Sequence, residues 1–340
     1  SNVAIGTNAF QKNENGAENV AIGSYTLYEN LGGYGNIALG EQSLSSNTQG
    51  SQNIAIGANS LSHNSNSNSN IAIGTGALYY NEQSENTESG ENIALGNFAL
   101  EQNYEGAQNI AIGSQAMSGN NGGNSNIAIG TSALQDTEGS FNIAIGDLAL
   151  SENYIEGSGN TAIGSKAMRH NYSGYYNTAV GFESMLSNSE GTHNSAFGTH
   201  SLFSNTTGSE NTAIGSGALN GNKTGSLNVG LGVDALLLNS SGDANIAIGN
   251  DALSGNSTGS QNVAIGNSAL TAHSYGDRNT ALGYEAMSNS SAGYSNIGIG
   301  YQAMYNNVGG GINIALGQEA LYSNALGEGN IAIGASSLLT

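Results

Sequence analysis

The sequence predicts an all-β protein, a parallel β-solenoid of twenty coils that are mostly 17 residues long. An Asn-x-small-apolar-Gly pentad begins twenty times, and sixteen of the nineteen intervals between pentads are 17 residues, with one of 16, one of 18 and one of 22. Within each pentad a small residue alternates with apolar ones, as the two-residue period of a strand requires. A fixed period of this length is typical of solenoids, so one repeat domain is expected over residues 1–340.

The pentad columns predict which side of each strand faces the coil interior. The second and fourth positions share one face of the strand, and the third lies on the opposite face. The fourth position is always a sizeable apolar residue, Phe197 included, so we expect it to face inward. The second position is expected near an edge, because it admits Thr161, Thr178, Ser195, Thr212 and Thr280. The third is Ala except at Gly230 and Gly298, which predicts an outward face closely approached by another chain.

Two glycine columns predict the corners of each coil. Gly at the fifth position ends the strand where a positive φ is expected, because a β-carbon would be penalised there. A second Gly lies three residues before the next Asn, with Ser67 and Ser89 as the only substitutions. Between the corners we expect a second short extended segment, such as Ala77-Leu78 or Ala167-Met168, that forms the other wall of the core.

Two Asn columns, at the first and twelfth positions, admit two interpretations. Five of these residues head N-x-S/T triplets and could accept glycans: Asn171, Asn205, Asn222, Asn239 and Asn256. Stacked Asn side chains can instead hydrogen-bond from coil to coil and to turn backbone. We favour the ladders.

Composition excludes several classes of partner. Five Lys and Arg against 25 Asp and Glu give a net charge of −20, which repels nucleic acid and anionic lipid surfaces. No apolar run approaches the ~18 residues of a membrane-spanning helix, so no direct membrane insertion is expected in this segment. The coils at both ends lack capping features, which predicts a segment of a longer protein.

The recurring Asn-Ile-Ala-Ile-Gly pentad at 53–57, 70–74 and 126–130 resembles the coil signature of YadA-type heads of trimeric autotransporter adhesins. The resemblance extends over all twenty pentads. It implies a left-handed parallel β-roll, a homotrimer and an extracellular location on a bacterial surface. Similar head repeats occur in phage tail fibres, so a tail-fibre shaft or receptor-binding segment is the alternative.

No pattern of catalytic, cofactor-binding or metal-ligating residues is found, so the sequence indicates a protein that is not an enzyme. The five His residues fall in different columns, without metal-ligand spacing, and are expected on the solvated surface: His63, His170, His193, His200 and His273. No cofactor is expected.

The predicted function is that of a structural and adhesive rod, an adhesin head or filament that binds host matrix protein, glycan or a surface receptor. Specificity would reside where the repeat varies, above all in an insertion loop over 79–91 and in a cluster of tyrosines. The candidate partner-binding residues are Tyr79, Tyr80, Glu82, Glu85, Glu88, Tyr172, Tyr175 and Tyr176. An ice-binding solenoid is disfavoured, because Val229 interrupts the Thr run of the second column and that column is expected to face inward.

Overall fold

A computed structural model of the chain describes residues 1–82, 90–152 and 157–339. The described residues form strands and turns without any helix, which confirms the all-β parallel solenoid. They divide into two compact units, residues 1–173 and 174–340. The prediction of a single domain over 1–340 stays a prediction, as does the left-handed sense of the coils.

In the first unit, each pentad forms a three-residue strand that pairs in parallel and in register with the strand one coil away. Successive coils place Ala beside Ala, so every column forms a ladder. The strands are β1 (Val3–Ile5), β2 (Val20–Ile22), β3 (Ile37–Leu39), β4 (Ile54–Ile56), β5 (Ile71–Ile73), β7 (Ile93–Leu95), β9 (Ile110–Ile112), β11 (Ile127–Ile129), β13 (Ile143–Ile145) and β14 (Thr161–Ile163).

The second unit repeats this arrangement, with parallel in-register pairing throughout. Its strands are β15 (Thr178–Val180), β16 (Ser195–Phe197), β17 (Thr212–Ile214), β18 (Val229–Leu231), β19 (Ile246–Ile248), β20 (Val263–Ile265), β21 (Thr280–Leu282), β22 (Ile297–Ile299), β23 (Ile314–Leu316) and β24 (Ile331–Ile333).

The second extended segment expected between the two corners is wrong for most coils. Residues there form turns in which the seventh and ninth positions have positive φ, as at Tyr25 (58°) and Leu27 (47°). Their amides still bond between coils, because Tyr25 N donates to Thr7 O at 2.8 Å and Leu27 N to Ser43 O at 3.0 Å. A turn thus satisfies the backbone without a strand.

A second, four-stranded parallel sheet occurs in the first unit, at the eleventh to thirteenth positions rather than the eighth and ninth. Its strands are β6 (Tyr80–Glu82), β8 (Gln102–Tyr104), β10 (Gly119–Asn121) and β12 (Asp136–Thr137). The predicted insertion loop over 79–91 is therefore wrong at its start, because Tyr80–Glu82 pair with β8 as a strand.

The pentad faces the opposite way from the one predicted. Ala128 is 0% exposed, whereas Ile129 beside it is 37% exposed, and the other coils repeat this contrast. The third column therefore lies in the coil interior, and the second and fourth columns face outward. The physical reason is room: the interior also holds the buried Leu and Met side chains of the ninth position, as at Leu134, so only Ala or Gly fits opposite them. The predicted burial of the Leu and Met column is confirmed.

Both Asn ladders are confirmed, and the glycosylation reading of the five triplets is wrong because those Asn side chains are wholly buried. Asn36 N donates to Asn19 Oδ1 at 2.8 Å, and Asn36 Nδ2 donates to Gly50 O of its own coil at 2.8 Å. Asn47 Nδ2, at the twelfth position, donates to Asn30 Oδ1 and also to Gly50 O. One carbonyl therefore joins both ladders and closes the coil.

The two glycine columns are required for different reasons. The positive φ predicted at the fifth position is confirmed, as at Gly40 with φ of 129°. Gly50 belongs to the other glycine column, three residues before the next pentad. A β-carbon there would lie 2.6 Å from Ser67 O and 2.8 Å from Asn64 Nδ2. Glycine there leaves room for the Asn ladder.

Candidate functional site

The outer face of the pentad sheet presents rows of apolar side chains to solvent in each unit. Its side chains are exposed or half-exposed in both columns: the fourth column is Ile, Leu, Val or Phe, and the second column is Ile or Val, with Thr or Ser in a few coils. Neither column contains a charged residue in any coil. We call the second-column and fourth-column side chains of β1 to β5, β7, β9, β11 and β13 to β24 the apolar face.

The apolar face is regular because the strands beneath it pair in register. Ile112, Ile129 and Ile145 are stacked one above another on β9, β11 and β13. Neighbouring side chains in one column are therefore about 4.8 Å apart, and the two columns about 7 Å apart, as strand geometry requires. The apolar face is therefore a regular lattice of side chains.

The polar members of the apolar face lie mainly in the second unit. Thr178, Ser195 and Thr212 occupy the second column of β15, β16 and β17, and they are half-exposed. The expectation that this column faces inward is wrong, so the argument it supplied against ice binding no longer holds. Val229 still ends the run in β18.

The first candidate patch is an aromatic cluster on the second sheet. The ring centroids of His63, Tyr79 and Tyr80 lie 4.6 to 4.7 Å from one another, and Tyr104 stacks on Tyr80 at 6.4 Å. Each of these rings is at least partly exposed. Part of the tyrosine surface therefore covers adjacent coils, and the remainder is available for contact.

Of the three acidic residues in this candidate patch, the structure describes only the backbone of Glu82. Glu82 ends β6, where its backbone pairs with Tyr104. Glu85 and Glu88 lie outside the described residues, so the predicted acidic part of the patch stays a prediction.

The second candidate group divides between the two units. Tyr172 belongs to the first unit and is 49% exposed. Tyr175 and Tyr176 belong to the second unit, where Tyr176 is 63% exposed and its ring lies 5.3 Å from that of His193. Tyr172 and Tyr176 thus each present a large aromatic surface to solvent, within their own unit.

The prediction that every His is solvated is wrong for His273, which occupies the twelfth position where an Asn is usual. It is wholly buried, with Nδ1 2.9 Å from Ser290 O and Nε2 2.8 Å from Gly276 O. Burial lowers the pKa of this imidazole below its ordinary value of 6.5, and the two carbonyls and Asp277 only partly oppose that shift. His273 therefore takes the place of the usual amide beside Gly276 O but makes no bond to Asn256 Oδ1, so the Asn ladder is interrupted at this coil.

The remaining His residues give no metal site. His170 Nδ1 lies 2.6 Å from Glu152 Oε2, and His200 Nε2 lies 3.2 Å from Glu183 Oε2, both near the surface. Among residues 1–82, 90–152 and 157–339, no three His, Asp or Glu side chains come together as metal ligands would. The same ranges contain no helix long and apolar enough to cross a membrane.

Sequence reasoning missed two surfaces. The apolar face could have been found from its second column, because Thr and Ser at a buried, unpaired position would be costly, whereas a solvent-facing column accepts them. A cavity on the second sheet, beside Tyr104, was also missed. Its signal is a Gly at position 119, in a column that carries Gln and Asp in the adjacent coils.

Comparison with known proteins gives no relative: no family model, no curated protein and no solved structure matches the chain.

Proposed function

We propose that the chain is an extracellular structural and adhesive protein, which assembles with two further copies along the apolar face and binds its target through the outer turns. The single observation that carries the assembly is the outward direction of the second and fourth columns. The proposal replaces the predicted contact along the third column, because those Ala side chains are enclosed within the chain's own coils.

The size of the apolar face supports an interface. Ten coils at ~4.8 Å and a width of ~10 Å give roughly 500 Å² for each unit. Monomeric soluble proteins rarely expose apolar patches above a few hundred Å².

The charge distribution favours copies of the same chain as the occupant. All 25 acidic residues lie outside the two columns, so three chains can approach along this face without placing like charges in contact. Every copy presents the same 17-residue lattice, so contacts made in one coil recur in the next. A closed cyclic assembly is the usual form of such association, and a trimer is the form that YadA-type heads imply.

The adhesive part of the proposal concerns the surfaces that such assembly leaves free. The outer turns vary from coil to coil, and they carry the exposed tyrosines Tyr172 and Tyr176 and the cluster at Tyr79 and Tyr80. Tyrosine buries a large area at little cost in rotamer freedom, which suits contact with protein or glycan. Repeated weak sites on three joined chains would gain strength by avidity.

The assembly is tested by placing charge on the apolar face. We expect Ile112→Asp combined with Ile129→Asp to leave the circular dichroism spectrum intact and to lower the mass found by light scattering after size exclusion. Phe141→Asp is the matched control, because Phe141 is 68% exposed but lies outside the pentad. Unchanged assembly of the double variant would overturn the proposed interface.

The adhesion is tested separately on the outer turns. Deleting residues 82–86 and changing Tyr172, Tyr175 and Tyr176 to Ser should preserve assembly and weaken attachment to host-cell and matrix surfaces. The control changes Tyr275 to Ser, because this tyrosine is 69% exposed and lies outside both patches. If attachment survives the patch variant on every surface that the parent binds, these residues are not the binding site.

A phage tail-fibre segment would share this assembly and differ in its target, which would be a bacterial surface. Ice binding is the second candidate function, favoured by one observation: the outward lattice that includes Thr178, Ser195 and Thr212. Thermal hysteresis of the parent chain that disappears when these three residues are changed to Lys would support it. If the parent chain shows no thermal hysteresis, ice binding is excluded and assembly stays the proposed role of the apolar face.

A further inference from the structure

A cavity of about 250 Å³ opens on the outer surface of the second sheet, over strands β8, β10 and β12. The residues that matter for its chemistry are Gln102, Tyr104, Gly119, Asn121, Asp136 and Glu138. Small-molecule sites usually measure about 300 to 1,000 Å³, so this cavity suits one small ring.

The cavity exists because one strand lacks a side chain. The parallel register places Gly119 between Gln102 on β8 and Asp136 on β12. These three positions face outward, whereas their neighbours Asn120 and Thr137 are buried. The missing side chain leaves a notch with an amide on one side and a carboxyl group on the other.

The carboxyl group of Asp136 leans into the notch. A β-carbon built on Gly119 would meet Asp136 Oδ1, and its nearest backbone neighbour would be Gln135 O at 3.5 Å. Partial burial in this position raises the pKa of Asp136 above its ordinary value. A ligand that donates hydrogen bonds would meet this carboxyl group as an acceptor in the notch.

A second row of side chains forms the other wall. Asn121 pairs with Tyr104 across the strands, and Asn121 Nδ2 donates to Glu138 Oε1 at 3.0 Å. The ring of Tyr104 is 36% exposed and is held by stacking on Tyr80. The wall thus combines one fixed aromatic ring with amide and carboxylate groups.

On the inner face of the same strands, beneath the cavity, the Asn ladder is broken. Asn120 Oδ1 is buried and has no hydrogen-bond partner, because the next coil offers Thr137 where an Asn is usual. Thr137 Oγ1 instead accepts from Gly139 N at 3.1 Å. The Asn120 side chain points into the coil, on the opposite face of β10 from the cavity, so the outward side chains of the adjacent positions provide the polar groups that a ligand would meet.

We propose that this notch binds one pyranose ring of an uncharged glycan. Sugar hydroxyls both donate and accept, which matches two carboxyl groups and two amides, and the apolar C–H face of the ring can pack on Tyr104. The net charge of −20 and the two acidic walls disfavour sialylated or sulfated ligands. The inference names the ligand class of the proposed adhesive function and rests on it.

The test measures binding of the full chain to polyacrylamide that carries glucose, galactose, mannose or N-acetylhexosamine, with unsubstituted polymer as the blank. Gly119→Val fills the notch and meets no close backbone atom, and Asp136→Asn removes the carboxylate. We expect the parent to bind at least one conjugate and each variant to bind it about tenfold more weakly or worse. Ser204→Val, in the same column of the second unit, should leave binding within about twofold.

The outcomes separate this inference from the adhesive function. If the parent attaches to protein-coated surfaces but binds no sugar conjugate, the sugar site is refuted and the adhesive function stands. If the parent attaches to neither protein-coated surfaces nor sugar conjugates, the sugar site and the adhesive function are both refuted. Sugar binding that survives both Gly119→Val and Asp136→Asn, with unfolding midpoints equal to the parent's, places the sugar elsewhere and overturns the proposed site. If Gly119→Val alone unfolds, Asp136→Asn decides.

Discussion

Removing one Asn from the buried ladder of the second unit should loosen the coils around it by an amount that the hydrogen bonds define. Asn222 is wholly buried, and its Nδ2 donates to Asn205 Oδ1 at 2.8 Å and to Gly225 O at 2.9 Å. Its Oδ1 accepts from Asn239 Nδ2 at 2.8 Å. The Asn222→Ala variant loses all three bonds.

The loss of stability in Asn222→Ala depends on which hydrogen bonds the former partners of Asn222 keep. Gly225 O keeps the bond from Asn211 Nδ2, and Asn239 Nδ2 keeps its bond to Gly242 O. Only Asn205 Oδ1 is left without a partner, as Asn256 Oδ1 already is in the parent. Three bonds at about 0.5 to 1.5 kcal/mol each give a loss of about 1.5 to 4.5 kcal/mol in local stability.

Hydrogen exchange followed by mass spectrometry tests this magnitude. Because each coil contacts mainly its neighbours, peptides within 205–242 should exchange about 10-fold to 2,000-fold faster, whereas distant coils keep their protection. Asn220→Ala is the control in the same coil, because it removes one bond of 3.2 Å to His200 O. If Asn222→Ala exchanges no faster than Asn220→Ala, the ladder does not stabilise the coil as argued.

Two further predictions concern the coil interior. The chain has no cysteine, so Ile129→Cys should react with a maleimide in dissociated chains, whereas Ala128→Cys should stay unreactive until the coil unfolds; equal rates would contradict the assigned faces. His273→Asn should abolish a pH dependence of the urea midpoint, because burial lowers the folded-state pKa of His273 below its ordinary 6.5. The stability that the neutral ring provides is present above 6.5 and lost as the pH falls towards the folded pKa, so an acid-induced loss equal in parent and variant would exclude His273 as its source.

The sequence was sufficient for the periodic features of the fold. The pentad strands, the positive φ at Gly40 and the ladder through Asn36 and Asn47 all follow from residues that recur at fixed columns. Each of these features depends on the residue type in a single column of the repeat. A strict repeat therefore defines strands, corners and ladders without knowledge of the third dimension.

The direction of the strand faces could not be predicted from alternation alone. A two-residue period shows that Ile127 and Ile129 lie opposite Ala128, but it does not show which side is interior. Side-chain size suggested the wrong side, because the space opposite the Leu and Met column is too narrow for Ile. The decision depends on the width of the coil, which the turns at the seventh to ninth positions set.

The candidate sites depend on neighbours one coil away, which reading along the chain does not show. The notch at Gly119 requires Gln102 and Asp136 in the adjacent strands. The burial of His273 is visible only when it is aligned with the twelfth-position Asn of other coils. Reading the repeat down its columns would have shown both, whereas the depth of the cavity needed coordinates.

Sedimentation equilibrium of the unmodified chain at micromolar concentration tests the central claim most directly, because that claim is the joining of three copies along the apolar face. The account predicts a single species with three times the 34.3 kDa mass of one chain. Assembly should persist at high salt, since the contact is apolar and the 25 acidic residues lie outside the two columns that form it. A single-chain mass at that concentration would contradict the claim.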